Sequence, residues 1–191
     1  LTLKIGILAL QGDFHEHQMC FNRLNYDTKL VKTINELNDC ESLVIPGGES
    51  TTISKLLVTS QLEKEIILRV RQGMPIWGTC AGLILISSKV EEGKPKPLNL
   101  IDAHTSRNFY GRQIDSFVEN INFMDSKKKF EAIFIRAPKI IKIGKNVEVL
   151  SQSEDNTPVA IQDKNILGTS FHPELTDDLR IHRHFADMTI K

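Results

Sequence analysis

Three short stretches combine nucleophilic, basic and acidic residues with turn-forming residues that could present them. In Gly78-Thr79-Cys80-Ala81-Gly82 a thiol is flanked by small residues, between an apolar run at 74–78 and another at 81–88. Gly-x-nucleophile-x-Gly between a strand and a helix is the pattern of a nucleophile elbow, a sharp turn that lifts the reactive atom above the sheet edge. A thiol at a helix N-terminus also feels the partial positive charge that favours thiolate, the reactive species. The second stretch, Ser170-Phe171-His172-Pro173-Glu174, follows an apolar run at 166–170. Proline stops that strand, and Glu174, two residues beyond the histidine, can turn back to fix the imidazole tautomer and support its protonated form. The third is Pro46-Gly47-Gly48-Glu49-Ser50-Thr51. Paired glycines let backbone N–H groups point into a cavity, and one oxyanion donor of that kind contributes about 2.7–4 kcal/mol to a barrier. A phosphate-binding loop or a plain turn are the other readings of this stretch, and no Gly-Lys-Ser/Thr follows it as a nucleotide P-loop would require. Thiol, histidine, carboxylate and glycine loop together suit attack on an amide.

These stretches need a scaffold that brings them to one rim. An apolar run at 4–10 ends at Gln11-Gly12 and reads as a buried strand and its turn. Asp13 and Glu16 resemble a capping pattern, after which Phe14, His17, Phe21 and Leu24 share a helical face. Strands are expected at 29–32, 42–45 and 74–78. Helices are expected from Ser50, around Leu62–Val70, and at 81–88. Strand and helix in alternation imply a parallel sheet covered on both faces. After the loop Lys94-Pro95-Lys96-Pro97 the chain reads as strands at 98–103, 113–118, 131–136, 147–151, 159–162 and 166–171, then a helix at 177–190. The expected architecture is one three-layer α/β domain over residues 1–191, with an antiparallel extension after the central helix.

Composition narrows the function classes. Lys+Arg and Asp+Glu number 24 each, a zero balance that argues against a nucleic-acid binder. Lys127-Lys128-Lys129 reads as a solvated turn. A domain of this length buries roughly 70% of its unfolded surface and needs no metal or disulfide to fold. Cys20, Cys40 and Cys80 are dispersed, which favours a reducing compartment, with Cys20 and Cys40 as buried structural thiols. No apolar segment reaches the roughly 20 residues that span a bilayer, and the apolar stretch at 5–10 is too short for a signal peptide. A soluble cytoplasmic protein is expected. His182 and His184 lie two apart on a helix, hence on different faces, which makes a metal pair there improbable.

With the elbow, the glycine loop and His-Pro-Glu go Leu10-Gln11-Gly12, Arg107-Asn108-Phe109-Tyr110-Gly111-Arg112-Gln113, Asp115-Ser116-Phe117 and Ile135-Arg136-Ala137-Pro138. Over essentially the whole chain these residues resemble the class I (triad) glutamine amidotransferase family, and within it the glutaminase subunits of pyridoxal 5′-phosphate synthases. The elbow and His-Pro-Glu are shared by many glutaminases; the arginine-containing segments are the more specific. The resemblance implies a flavodoxin-like fold and hydrolysis of L-glutamine to glutamate and ammonia through a thioester on Cys80, with no cofactor and no metal. It implies His172, oriented by Glu174, as acid and base. Gly48 and Ala81 would supply the oxyanion N–H groups, and Gly47, Gly48, Glu49, Arg107, Ile135 and Arg136 would bind glutamine. It also implies a partner, a synthase barrel in a hetero-oligomer. Structural ion pairs are the alternative role for Arg107, Arg112 and Arg136. Residues 92–106 depart from the family pattern, with His104-Thr105-Ser106 where an aliphatic and acidic stretch is usual. His15 and His17 stand outside the triad; they read as solvated or half-buried helix histidines, with a face toward the partner as the alternative.

Overall fold

The computed structural model describes residues 3–107 and 116–190. Strand and helix alternate through β1 (Lys4–Leu8), α1 (Phe14–Arg23), β2 (Asp27–Val31), α2 (Ile34–Asn38) and β3 (Ser42–Ile45). They continue through α3 (Ser50–Thr59), α4 (Leu62–Arg71), β4 (Ile76–Thr79) and α5 (Ala81–Ile86). Strands then dominate: β5 (Ser87–Val90), β6 (Ile101–Ser106), β7 (Ser116–Ile121), β8 (Phe130–Ile135), β9 (Lys139–Ile143), β10 (Glu148–Gln152), β11 (Pro158–Asp163) and β12 (Ile166–Thr169). A 3-10 turn at Pro173–Leu175 and α6 (Arg180–Ile190) follow.

The main sheet has seven strands in the order β10-β11-β12-β4-β3-β1-β2. From β12 to β2 the pairing is parallel, while β10, β11 and β12 pair antiparallel. This is the expected mixed sheet with its antiparallel extension. The parallel strands are buried on both faces, which explains why they read as continuous apolar runs. Ile5, Ile7, Val44 and Trp77 pack to one side with Phe21 of α1 and Phe185 of α6. Leu8, Leu43, Ile45 and Ile76 pack to the other with Ile53, Leu57, Ile66 and Val70 of α3 and α4. Smaller sheets extend both layers. Ile101, Ala103 and Ile140 of β5-β6-β9 join the α3–α5 side, and Phe130, Ala132 and Phe134 of the β7-β8 hairpin join the other.

Several boundaries differ from the sequence reading. The first strand stops at Leu8, and the strand expected at 98–103 lies at Ile101–Ser106. The strand expected at 113–118 is described only from Ser116. The helix expected at 81–88 ends at Ile86, because Ser87 turns to extended backbone and its hydroxyl donates to the Ile84 carbonyl at 2.7 Å. The last helix starts at Arg180 rather than 177, where the Asp178 carboxylate accepts from the Arg180 backbone and guanidinium. Three elements were not expected at all: α2, β5 and β9.

Candidate active site

The sheet delivers Cys80 and His172 to one rim because β4 and β12 are parallel neighbours, with Thr79 paired to Thr169. Cys80 follows β4 immediately, and its N–H donates to the Thr169 carbonyl at 2.8 Å. Its backbone has φ 49° and ψ −104°, a strained conformation for a residue with a side chain and the one an elbow demands. The flanking glycines are steric necessities. A Cβ on Gly78 would lie 2.5 Å from the Gly82 backbone, and one on Gly82 would lie 2.0 Å from the Ile45 carbonyl oxygen. The elbow thus closes against itself and against β3.

His172 is anchored by its backbone N–H, which donates to Ile133 of β8 at 2.8 Å. Pro173 starts the 3-10 turn, and Glu174 is thereby brought back to the imidazole, with Nδ1 2.7 Å from Oε1. Cys80 stands close enough to the imidazole to raise its basicity, and Nε2 is the ring nitrogen that Glu174 leaves open. Cys80, His172 and Glu174 are all buried. Burial opposes protonation of His172, but bonds to Cys80 and Glu174 and their charges outweigh it and push the imidazole up to about 11. Burial pushes the Glu174 carboxyl above its ordinary range while His172 pulls it down. The 2.7 Å contact decides between them: it joins a carboxylate to a ring held in its protonated form. Cys20 and Cys40 differ, since burial pushes both thiols up to about 11 and suits them to inert packing. Cys40 donates to the Glu36 carbonyl, and Cys20 to the backbone carbonyl of Glu174 at 3.7 Å.

The glycine loop abuts the same histidine. A Cβ on Gly47 would stand 2.5 Å from His172 Cε1, and Gly48, at φ 155°, leaves 2.6 Å between such an atom and Gln11 Oε1. Only glycine fits there, so the backbone reaches the imidazole directly. Gln11 Oε1 accepts from the Glu49 N–H at 2.8 Å and ties the loop to the turn after β1. Ala81 opens α5 beside the thiol. Glu49 caps α3, accepting from the Thr51 and Thr52 N–H groups at 3.1 and 2.7 Å.

Of the residues expected to bind a substrate, Ile135 touches the thiol, its carbonyl oxygen accepting from Cys80 Sγ at 3.7 Å. Arg136 is exposed, with φ 44°. Arg107 pairs with Glu49 at 3.5 Å and donates to the Lys94 carbonyl at 3.0 Å, so the ion pair and the candidate pocket residues coincide. Arg112 and the rest of 108–115 lie outside the described residues.

Two neighbours of His172 and Glu174 were read from the sequence as a helix cap and a helix-face residue and not as part of the site. Asp13 does not cap α1 through its side chain; its Oδ2 lies 3.5 Å from His172 Nδ1. His17 turns inward, fully buried, with Nε2 3.4 Å from Glu174 Oε2. The turn after β1 brings them there, since it meets Gly47 through the Asp13 N–H at 3.0 Å, a contact the sequence does not signal. Asp13, His172 and Glu174 lie close enough for a cation, but His172 Nδ1 and Glu174 Oε1 already meet each other in an ion pair. A buried thiol, imidazole and carboxylate in contact can carry out covalent acyl transfer with proton exchange at a single ring nitrogen.

Comparison with known proteins agrees with this chemistry. The chain is 46% identical over 189 residues to a pyridoxal 5′-phosphate synthase subunit PdxT from Thermosipho africanus, covering 99% of this chain and 100% of that one. It is 43% identical to the subunit of the same name from Thermotoga petrophila, over 97% of this chain and 99% of that one. A crystal structure of a glutamine amidotransferase superposes with a TM-score of 0.92 at 39% identity, over 98% of this chain and 99% of the other. A profile of the SNO glutamine amidotransferase family matches residues 7–191, and the chain belongs to that family.

Proposed function

We propose that the chain hydrolyses L-glutamine to L-glutamate and ammonia with Cys80 as nucleophile, and that a pyridoxal 5′-phosphate synthase subunit consumes the ammonia. The observation that carries this reading is the Cys80–His172–Glu174 contact at the parallel rim, with Nδ1 2.7 Å from the Glu174 carboxylate. The Cys80 thiolate attacks the side-chain amide carbon, and the carbonyl oxygen becomes an oxyanion held by the N–H groups of Gly48 and Ala81. His172 gives its proton to the departing nitrogen, the C–N bond breaks, and ammonia leaves a γ-glutamyl thioester. Water then attacks the thioester while His172 takes its proton, and glutamate departs with the thiolate restored. Glu174 stays ionised throughout. Gly47, Glu49, Arg107, Ile135 and Arg136 bind the substrate, with a guanidinium suited to its α-carboxylate. For Arg107 this requires exchanging Glu49 for the ligand.

We read residues 1–191 as one domain, a reading supported by the packing of the smaller sheets onto the layers of the main one among the described residues. Among the described residues no helix is long and apolar enough to cross a membrane. Dispersed free thiols fit a reducing, cytoplasmic setting. The relatives' name, a synthase subunit, supports a hetero-oligomer in which ammonia passes directly to the partner. Glutamate release measured with and without the cognate synthase tests this reading. Turnover should rise markedly on adding the synthase, and equal rates in both samples would contradict the coupling.

A further inference from the structure

Behind Glu174 the protein buries two more histidines that the mechanism above does not use. His17 of α1 and His182 of α6 are each 0% exposed. Their rings face each other, His17 Nδ1 to His182 Nε2 at 3.0 Å. On its other side His17 Nε2 meets Thr79 Oγ1 at 3.2 Å and Glu174 Oε2 at 3.4 Å. Thr79 directly precedes Cys80. A row of buried polar groups therefore runs from His172 through Glu174 and His17 to His182, walled by Trp77, Phe21 and Phe185.

Proton placement in this row is constrained. Glu174 Oε1 is engaged by His172, whereas Oε2 is buried with no hydrogen bond of normal geometry. Leaving a buried carboxylate oxygen without a donor is costly, and His17 Nε2 is the ring nitrogen beside it. Suppose His17 carried its proton on Nδ1. Its Nε2 lone pair would then face the carboxylate, and His182, accepting at Nε2, would hold an N–H at Nδ1, an atom that has no partner. The opposite tautomer removes both faults. His182 donates from Nε2 to His17 Nδ1, and His17 directs its Nε2–H at Thr79 Oγ1 and Glu174 Oε2. His182 Nδ1 is then a bare lone pair against aromatic rings, the cheaper orphan. Both rings must be neutral, and burial lowers both well below the ordinary histidine range.

We infer that His17 is a positioning residue for the glutaminase reaction, an N–H donor that fixes the second oxygen of Glu174 in the tautomer set by His182. This deepens the function proposed above and rests on it. By holding the carboxylate in plane and ionised, His17 sustains the basicity of His172, which must give and take one proton per turnover. The groups facing Glu174 are then His172 and Asp13 from one side, and His17 and the Cys20 thiol, on its backbone carbonyl, from α1.

The test is kcat, KM and the pH dependence of glutamine hydrolysis for wild type, His17→Phe and His17→Gln, each with the cognate synthase. Glutamine can place an amide donor near the position of Nε2; phenylalanine cannot. His17→Phe should lower kcat about tenfold, the loss that a barrier raised by about 1.4 kcal/mol gives, with KM within about twofold. Its basic pH limb should move to lower pH as His172 loses basicity, and His17→Gln should recover most of kcat and the limb. A folded His17→Phe with unchanged kcat and pH limbs, or equal losses in both variants, would overturn the inference. Should His17→Phe not fold, His17→Asn takes its place: its amide sits nearer Nδ1, so it should be slower than His17→Gln, and equal rates would overturn the proposal. Absence of Cys80-dependent turnover in wild type is a different result, which removes the functional reading itself.

Discussion

At the scale of single residues, the site depends on contacts with little slack. Glu174 reaches His172 at 2.7 Å from two residues away only because Pro173 turns the chain. Glu174→Gln keeps the shape but removes the charge and offers Nδ1 an amide, which favours the wrong tautomer. We expect kcat to fall at least about 100-fold with the fold intact, as for other triads whose carboxylate is amidated; steady-state kinetics beside thermal unfolding checks this. Gly47 is equally constrained. A methyl group there would lie 2.5 Å from His172 Cε1, so Gly47→Ala should displace the ring, cost about 1–3 kcal/mol in denaturant unfolding, and reduce kcat. Cys80, His172, Glu174 and the glycine loop were legible in the sequence because each lies within two residues of a glycine or proline, just after an apolar strand. Asp13 and His17 were not, because a residue type at a helix start carries no sign of which way its side chain turns. Asp13 has the pattern of a cap and does not cap; His17 shares a helical face with Phe21, and that face happens to cover Glu174.

At the scale of elements, α1 and α6 close the back of the site. Their two neutral histidines make the fold sensitive to acid, and the sign follows from burial. His17 and His182 are lowered in the folded state, whereas an unfolded histidine titrates near 6.5. Below about pH 6.5 the unfolded chain therefore takes up protons that the folded chain refuses, and stability falls with pH, down to about 3 for His182. His172 acts oppositely: its raised value adds stability that is complete below 6.5 and lost only as pH climbs toward 11. Wild type should thus lose ground relative to His182→Phe between pH 6.5 and 5, by up to about 1.4 kcal/mol per pH unit. Urea unfolding of both proteins across that range measures it, and a constant difference would contradict the neutral state of His182. The parallel strands were readable because burial on both faces makes them apolar throughout. The small elements were harder. Yet α2 carried its own signal, a capping box in which Thr33 and Glu36 satisfy each other's N–H groups. Strands β5 and β9 are short and show no clean two-residue alternation: two serines and a lysine precede Val90 in β5, and in β9 Ile140 is buried while Ile141 is exposed.

At the scale of the whole molecule, a parallel sheet sets the site at its rim and an antiparallel extension, β10-β11-β12, supplies the histidine strand. The proposed nucleophile and base thus follow neighbouring strands that lie far apart in the chain, at 80 and 172. The alternation of strand and helix in the first half foretold this sheet. The order of its strands, and the packing of two smaller sheets on opposite faces, depend on long-range pairing that local pattern does not encode. Ammonia made at such a rim is protonated and lost unless another protein takes it. The central claim remains that Cys80 is the nucleophile of that reaction. Glutamate release by Cys80→Ala and wild type, each with the cognate synthase, tests it most directly. Wild type should turn over and Cys80→Ala should fall to background while remaining folded; retained turnover in Cys80→Ala would contradict the account.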